Sequence, residues 1–317
     1  MAARATRSAS GAASSTDDAS RCLLLALSHD ELGVIFDGLA DPLQPVVAVA
    51  LSSTCKGLRT PLGAALEVLK ERHEKAAALG RMGGKIYRTD RHGRAMRSSM
   101  TCADLRDAEE LDWNERGLTP DDMVTLGLIL PWMPRLKTLV LYNDNFADAG
   151  VKALCEGLGR GAAPSLCSLD LNLNRLGPAA AEAIAAALSW GAMPQLEELR
   201  LGENVIGDQG VAALAAALKK LPALRHLDLG VNNIGDEGVA SLLDNLGKDD
   251  FKVLGGLYLD GNELTEKSCA TVVAALKAGA LPTIRALYLA SEESSEAMSE
   301  ACAAVGAALN QRAQHGA

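Results

Sequence analysis

The hexad LKTLVL at residues 136–141 returns as LCSLDL at 166–171, LEELRL at 196–201, LRHLDL at 224–229, LGGLYL at 254–259 and IRALYL at 284–289. A degenerate copy, AEELDW, precedes them at 108–113. Start to start the steps are 28, 30, 30, 28, 30 and 30 residues. Such a period belongs to stacked repeats rather than to one globular core. Counted from the first residue of each hexad, the apolar residues at places 4 and 6 flank a mostly polar place 5, the period-2 mark of a half-buried strand.

Beyond the hexad, Asn174, Asn204, Asn232 and Asn262 occupy place 9. An amide donates and accepts at once, so it can tie off backbone groups left open where the chain turns out of the strand. Place 11 returns an apolar residue inward: Leu118, Phe146, Leu176, Ile206, Ile234 and Leu264. Asp208 and Asp236 follow in Gly-Asp-x-Gly stretches, and each is expected to cap the helix it begins. Apolar residues at places 16, 19 and 23, such as Val151, Leu154 and Leu158 or Val211, Leu214 and Leu218, share one helical face. Pro134, Pro164, Pro194, Pro222 and Pro282 stand two residues before the next hexad, where a helix must stop.

Parallel strands stack about 4.8 Å apart, whereas packed helices need about 8–10 Å. A stack of strand–helix units therefore curves with its strands inside, and the Ala-rich helices (Ala179 to Leu188, Val211 to Leu218) keep the outer spacing small. In these features the chain resembles the ribonuclease-inhibitor class of leucine-rich repeats, over about residues 105–312. The resemblance implies an α/β leucine-rich-repeat solenoid of about seven units over residues 105–317. In that horseshoe the parallel strands are concave, the helices are convex, and the work is non-enzymatic protein binding. Such a fold specifies architecture and leaves the partner open. The last unit departs from the pattern, with Glu292 for the Asn, Ser294 for the inward Leu, and a helix register of Met298, Cys302, Val305 and Leu309. It reads as a C-terminal cap, because a terminal repeat must close the core against water.

Strand residues that alternate with the core leucines are expected to face outward on the concave side. Place 5 reads Asp112, Val140, Asp170, Arg200, Asp228, Tyr258, Tyr288, and place 7 reads Asn114, Tyr142, Asn172, Gly202, Gly230, Asp260, Ala290. His226 stands at place 3. Tyr and Arg are the residue types that anchor interfaces, and the carboxylates suit a partner with a basic surface. The polar and aromatic members of these columns are the expected partner-binding surface. The rival reading is that strand tyrosines simply suit a pleated surface.

Ahead of the repeats, residues 21–79 show helical stretches at Asp30 to Leu39, Pro45 to Cys55 and Leu62 to Ala78. The order Leu27, Leu32, Ile35, Phe36, Leu39, then Leu51 and Cys55-Lys56-Gly-Leu58-Arg59, resembles an F-box. That resemblance implies docking on the Skp adaptor of a cullin ubiquitin ligase, with Leu27, Leu32, Ile35, Phe36, Leu39, Cys55 and Lys56 on the adaptor side and the repeats holding the substrate. The sequence departs from the F-box at Ser28, where a proline is usual, at Leu58, where an aromatic is usual, and at Pro45, where the second helix should begin. The alternative is a helical cap over the first strand of the horseshoe. Residues 80–104 hold six Lys/Arg against one Asp up to Ser99 and read as a basic flexible connector, with a nuclear-localisation, nucleic-acid or phosphorylation patch as the alternative. Residues 1–20, rich in Ala, Ser and Arg, read as a disordered tail or an organelle transit peptide.

Charge divides unevenly: residues 1–103 carry +4 and residues 104–317 carry −13, which argues against nucleic acid as the partner of the repeats. The seven cysteines include no C-x-x-C pair, so they are expected to be reduced thiols, with no metal, in an intracellular protein, cytoplasmic or nuclear. No stretch approaches the roughly 20 apolar residues that span a bilayer, and no membrane partner is expected. The sequence has no P-loop, Gly-x-Ser-x-Gly elbow or His-Glu-x-x-His, and its five histidines lack ligand spacing, so neither a cofactor nor catalysis is expected. A second reading of the same repeats is a GTPase activator, since the Ran activators are built from similar units.

Overall fold

The computed structural model describes residues 35–36, 39–54, 62–82, 85–89, 95–97, 99–246, 250–290 and 295–315. It divides into two compact units, Met1–His73 and Glu74–Ala317. In the first, helix α1 (Val46–Thr54) and the start of α2 (Gly63–Arg81) bury Phe36, Leu43, Ala48, Leu62 and Leu69. The His73 imidazole Nδ1 sits 2.7 Å from the Pro42 carbonyl oxygen.

The second unit takes in the rest of α2, followed by β1 (Lys85–Thr89) and β2 (Ala95–Arg97), which pair antiparallel inside the segment read as a connector. Helix α3 (Cys102–Asp107) follows, capped by a reciprocal Thr101–Asp104 box. Then come the repeats. Strands β3 (Glu110–Asp112), β4 (Thr138–Val140), β5 (Ser168–Asp170), β6 (Glu198–Arg200), β7 (His226–Asp228), β8 (Gly256–Tyr258) and β9 (Ala286–Tyr288) form one parallel sheet in chain order. Helices α4 (Pro120–Ile129), α5 (Ala147–Gly157), α6 (Pro178–Ser189), α7 (Gly207–Lys219), α8 (Asp236–Leu243) and α9 (Glu266–Lys277) alternate with them, and α10 (Glu296–His315) closes the stack. The strands pair without slip, so that Asp112, Val140, Asp170, Arg200, Asp228, Tyr258 and Tyr288 lie side by side. A one-residue slip would turn every leucine outward, and the buried leucines prevent it. Leu139, Leu169, Leu199, Leu227 and Leu257 are all buried. Leu264 and Leu287, near the end of the stack, are only half-buried.

The asparagine column works as a continuous ladder. The Asn204 carbonyl accepts from the backbone of Asn174 and Leu176 in the preceding unit, at 2.9 Å each. Its amide donates to the carbonyls of Leu171, Leu201 and Gly202. Asn174, Asn232 and Asn262 repeat this pattern. One side chain thus satisfies backbone groups of two successive units, which would otherwise be buried and unpaired.

Place 8, just before it, adopts positive φ in six successive units: Glu115, Asn143, Leu173, Glu203, Val231 and Gly261, between 51° and 69°. This left-handed residue turns the chain out of the sheet. Only one of the six is glycine, so the signal is absent from the sequence.

The aspartates differ from expectation. Asp208 lies in the first turn of α7, but its Oδ1 accepts from the backbone N–H of Gly235 and Gly238 at 2.7 and 2.9 Å, at the start of α8 in the next unit. Asp148 does the same for Gly177 and Ala180, and Asp236 for Thr265 and Ser268. Each therefore caps its neighbour's helix rather than its own. A Cβ on Gly238 would meet the Asp208 carboxylate at 2.5 Å, which explains the glycine there.

Candidate functional site

Each strand exposes side chains at places 3 and 5 on the face opposite the leucines, and the turn adds place 7. Every unit thus adds about one strand spacing to a continuous array. The place-6 N–H of each unit donates to the place-5 carbonyl of the next, as from Leu201 to Asp228 and from Leu259 to Tyr288. The backbone beneath the array is therefore held rigidly in register.

The array is not uniformly open. Asp112 and Asp170, expected to face solvent, are 5% and 8% exposed. Their Oδ1 atoms accept from the backbone N–H of Asn114 and Asn172, two residues on, so each carboxylate folds over its own turn. Asp228 does the same with Gly230 at 3.0 Å. Burial raises the Asp228 carboxyl above the ordinary range, the Asp260 and Asp170 carboxylates add to it, and the Gly230 N–H and Arg200 oppose it. Asn114, Tyr142, Asn172, Tyr258 and Asp260 are half-buried, while Arg200, His226 and Tyr288 are exposed. The Asn172 side chain accepts from Gly202 N–H and braces the next turn.

Arg200 is already engaged. Its guanidinium lies 3.6 Å from Asp170 Oδ2 and 3.1 Å from Glu198 Oε2. Glu198 in turn accepts from Ser168 Oγ. Arg200, His226, Asp228 and Tyr258 meet with Glu198 around a concavity of about 280 Å³. Missing side chains help to open it: a Cβ on Gly202 would sit 3.1 Å from Asp228, and one on Gly256 would clash with His226 and Tyr258. Beyond it the rings of Tyr258 and Tyr288 stack, centroids 5.1 Å apart and 7° from parallel. Tyr288 remains 53% exposed. Tyr142, Asp112 and Asn114 lie on the first two units, separate from this cluster.

Sequence reasoning missed several residues. Val205 and Val231 are 51% and 49% exposed in the turns beside the strands, and Trp190 is 59% exposed at the end of α6. Their exposure depends on turn geometry that carries no composition signal. Of the residues expected on an adaptor face, Phe36 is instead buried at 2%. Its aromatic side chain belongs to the core of the first unit. Ile35 and Leu39 are half-buried, and Leu27, Leu32, Cys55 and Lys56 lie outside the described residues. Exposed instead are Val46, Val47, Val49 and Val68.

Among the described residues no group of three or more His, Cys, Asp or Glu side chains is arranged to hold a metal ion. No described helix is long and apolar enough to cross a membrane.

A family model for the leucine-rich repeat matches residues 162–185, 193–215 and 220–243. No curated protein sequence matches the chain significantly. Among solved structures, actin-binding site 2 of leiomodin-1 is similar at 16% identity, over 48% of this chain and 83% of that one, with a TM-score of 0.38. TLR13 in complex with ssRNA13 is similar at 22% identity, over 61% of this chain and 34% of that one, with a TM-score of 0.25. Superpositions this loose say nothing of what this chain binds. The matched repeats, the single parallel sheet and the alternating helices are those of an α/β leucine-rich-repeat solenoid.

Proposed function

We propose that this chain is a protein-binding module of the ribonuclease-inhibitor class, and that it grips a basic surface of its partner on the strand face between Asp170 and Tyr288. The observation that carries this reading is the stacked pair of half-buried Tyr258 and exposed Tyr288 beside the concavity lined by Glu198, Arg200 and Asp228. Aromatic pairs offer large contact area at low entropic cost, and water has ready access to displace from this one. The flanking carboxylates are prepositioned by backbone hydrogen bonds, so little freedom is lost when a cation meets them. The test is affinity for the partner found by proximity labelling. Truncating Tyr258 or Tyr288 to Ala should weaken binding about thirtyfold, the loss of about 2 kcal/mol typical of a hot spot. The exposed helix change Lys277→Ala should leave it unchanged. If Trp190→Ala abolishes binding while the tyrosine changes do not, the partner uses the other edge and the reading fails.

A second reading concerns the first unit. The exposed valines of α1 give it an apolar surface suited to helix packing, which favours docking on a Skp-type adaptor. Co-purification of that adaptor with the full chain is the test. The GTPase-activator alternative rests on repeat architecture and draws no support from Arg200, which is bridged to Asp170 and Glu198. Unchanged GTP hydrolysis by small GTPases would dispose of it.

A further inference from the structure

Among the described residues, Cys155, Cys167, Cys269 and Cys302 are thiols outside any disulfide. Two of them meet. Cys269 on α9 and Cys302 on α10 have their Sγ atoms 3.6 Å apart. The Met298 sulfur, one turn before Cys302 on the same helix, lies 3.8 Å from Cys269. The contact follows from the shifted register of the last helix, in which Met298 and Val305 are buried against the stack and Cys302 falls between them. Cys269 is 1% exposed, whereas Cys302 is half-buried and reached by solvent. The two sulfur atoms are already in van der Waals contact and must close to roughly 2.05 Å to bond.

We propose that Cys269 and Cys302 form an oxidation site, at which a hydroperoxide converts the two thiols to a disulfide that staples the last helix to the one before it. Exposure sets the order of events. The Cys302 sulfur attacks a peroxide oxygen and breaks the O–O bond, giving a sulfenic acid on Cys302 and one molecule of alcohol, or of water from hydrogen peroxide. The Cys269 sulfur then attacks the sulfenic sulfur and displaces its hydroxyl, which leaves as water with the Cys269 proton. Two thiols lose two electrons and the peroxide gains them. Burial, reinforced by the neighbouring Cys302, pushes the Cys269 thiol up to about 12. Burial keeps Cys269 from oxidants in solution, and the sulfur within its reach is that of Cys302, 3.6 Å away.

The bond would hold α10 in place and with it β9, which presents Tyr288. This consequence rests on the proposed role of the tyrosine pair, whereas the oxidation site itself does not.

The experiment treats the folded full-length protein with hydrogen peroxide, alkylates the remaining thiols and maps the peptides without reduction. The expected result is a Cys269–Cys302 linked peptide, with Cys155 and Cys167 still alkylated. Amide exchange in α10 should slow about tenfold or more on oxidation and recover with a dithiol reductant. C302S should abolish the link, and C269A should leave Cys302 to proceed to the sulfinic acid. No linked peptide, or links scattered over the other cysteines, would overturn the proposal. A failed tyrosine test with the link still present would instead overturn only the binding-face reading.

Discussion

Asp144 occupies the ladder place that later units fill with asparagine. Its Oδ1 makes the asparagine's accepting contacts, to Arg116 N–H at 2.6 Å and Leu118 N–H at 3.3 Å. Its Oδ2 is buried without a partner, because a carboxylate cannot donate where the amide does. Burial raises the carboxyl above the ordinary range, against the Arg116, Gly117 and Leu118 N–H groups and the Arg116 charge. The sign follows from linkage. With the folded value raised, the stabilising contribution is fully present below the unfolded value and is lost as pH rises through the folded one. Asp144→Asn should therefore stabilise the protein at neutral pH by about 1 kcal/mol, the value of a restored buried hydrogen bond. The advantage should shrink as pH falls from 7 towards 4, within the range between neutrality and the ordinary carboxyl value. Thermal midpoints at the two ends of that range decide it. A lower midpoint for the variant at neutral pH would show that the ionised form is the one the ladder needs, and an advantage independent of pH would show that protonation of Asp144 plays no part.

At the scale of the element, the helices of the stack are coupled through their first turns. The N-cap of α8 is Gly235, which has no side chain to cap with, and Asp208 of the preceding unit supplies the cap. α6 likewise borrows Asp148. By contrast α4, near the start of the stack, carries its own Thr119–Asp122 box. Removing a cap typically costs about 1 kcal/mol. Asp208→Ala should lower stability by about that amount, with faster amide exchange in α8 than in α7. Equal changes in both helices would mean that Asp208 acts mainly on the dipole of its own helix. The arrangement also makes the interface between repeats polar as well as apolar. That ties the register of each helix to the one before it.

Across the whole molecule the acidic charge of the repeats matters more than any single pair. Residues 104–317 carry −13, and on the strand face Arg200 is offset by Asp170 and Glu198. A net acidic surface speeds the approach of an opposite charge. Association with the partner should slow markedly as salt rises from about 0.05 to 0.15 M, with dissociation changing less, because screening acts over about 8–14 Å in that range. Stopped-flow rates would show it. An association rate indifferent to salt would remove the basic-partner reading and leave the tyrosine pair as an apolar anchor.

Periodicity alone determined the fold. Seven hexads at steps of 28 to 30 residues leave one way to bury the leucines, because a strand period of two and a helix period near 3.6 must each face the same core. The leucines, the asparagine ladder and the apolar helix face were legible for that reason: each is a recurring answer to a recurring local problem. What only the tertiary structure decided depends on neighbours far away in sequence. Asp112 and Asp170 fold over their own turns and leave solvent, Asp208 caps a helix 27 residues on, and Phe36 is core rather than surface. Tyr258 and Tyr288 become a stack only when β8 and β9 pair in register, and Cys269 meets Cys302 only when α10 docks. A residue type states what a side chain can do, but burial and partners select among those possibilities, and packing sets both.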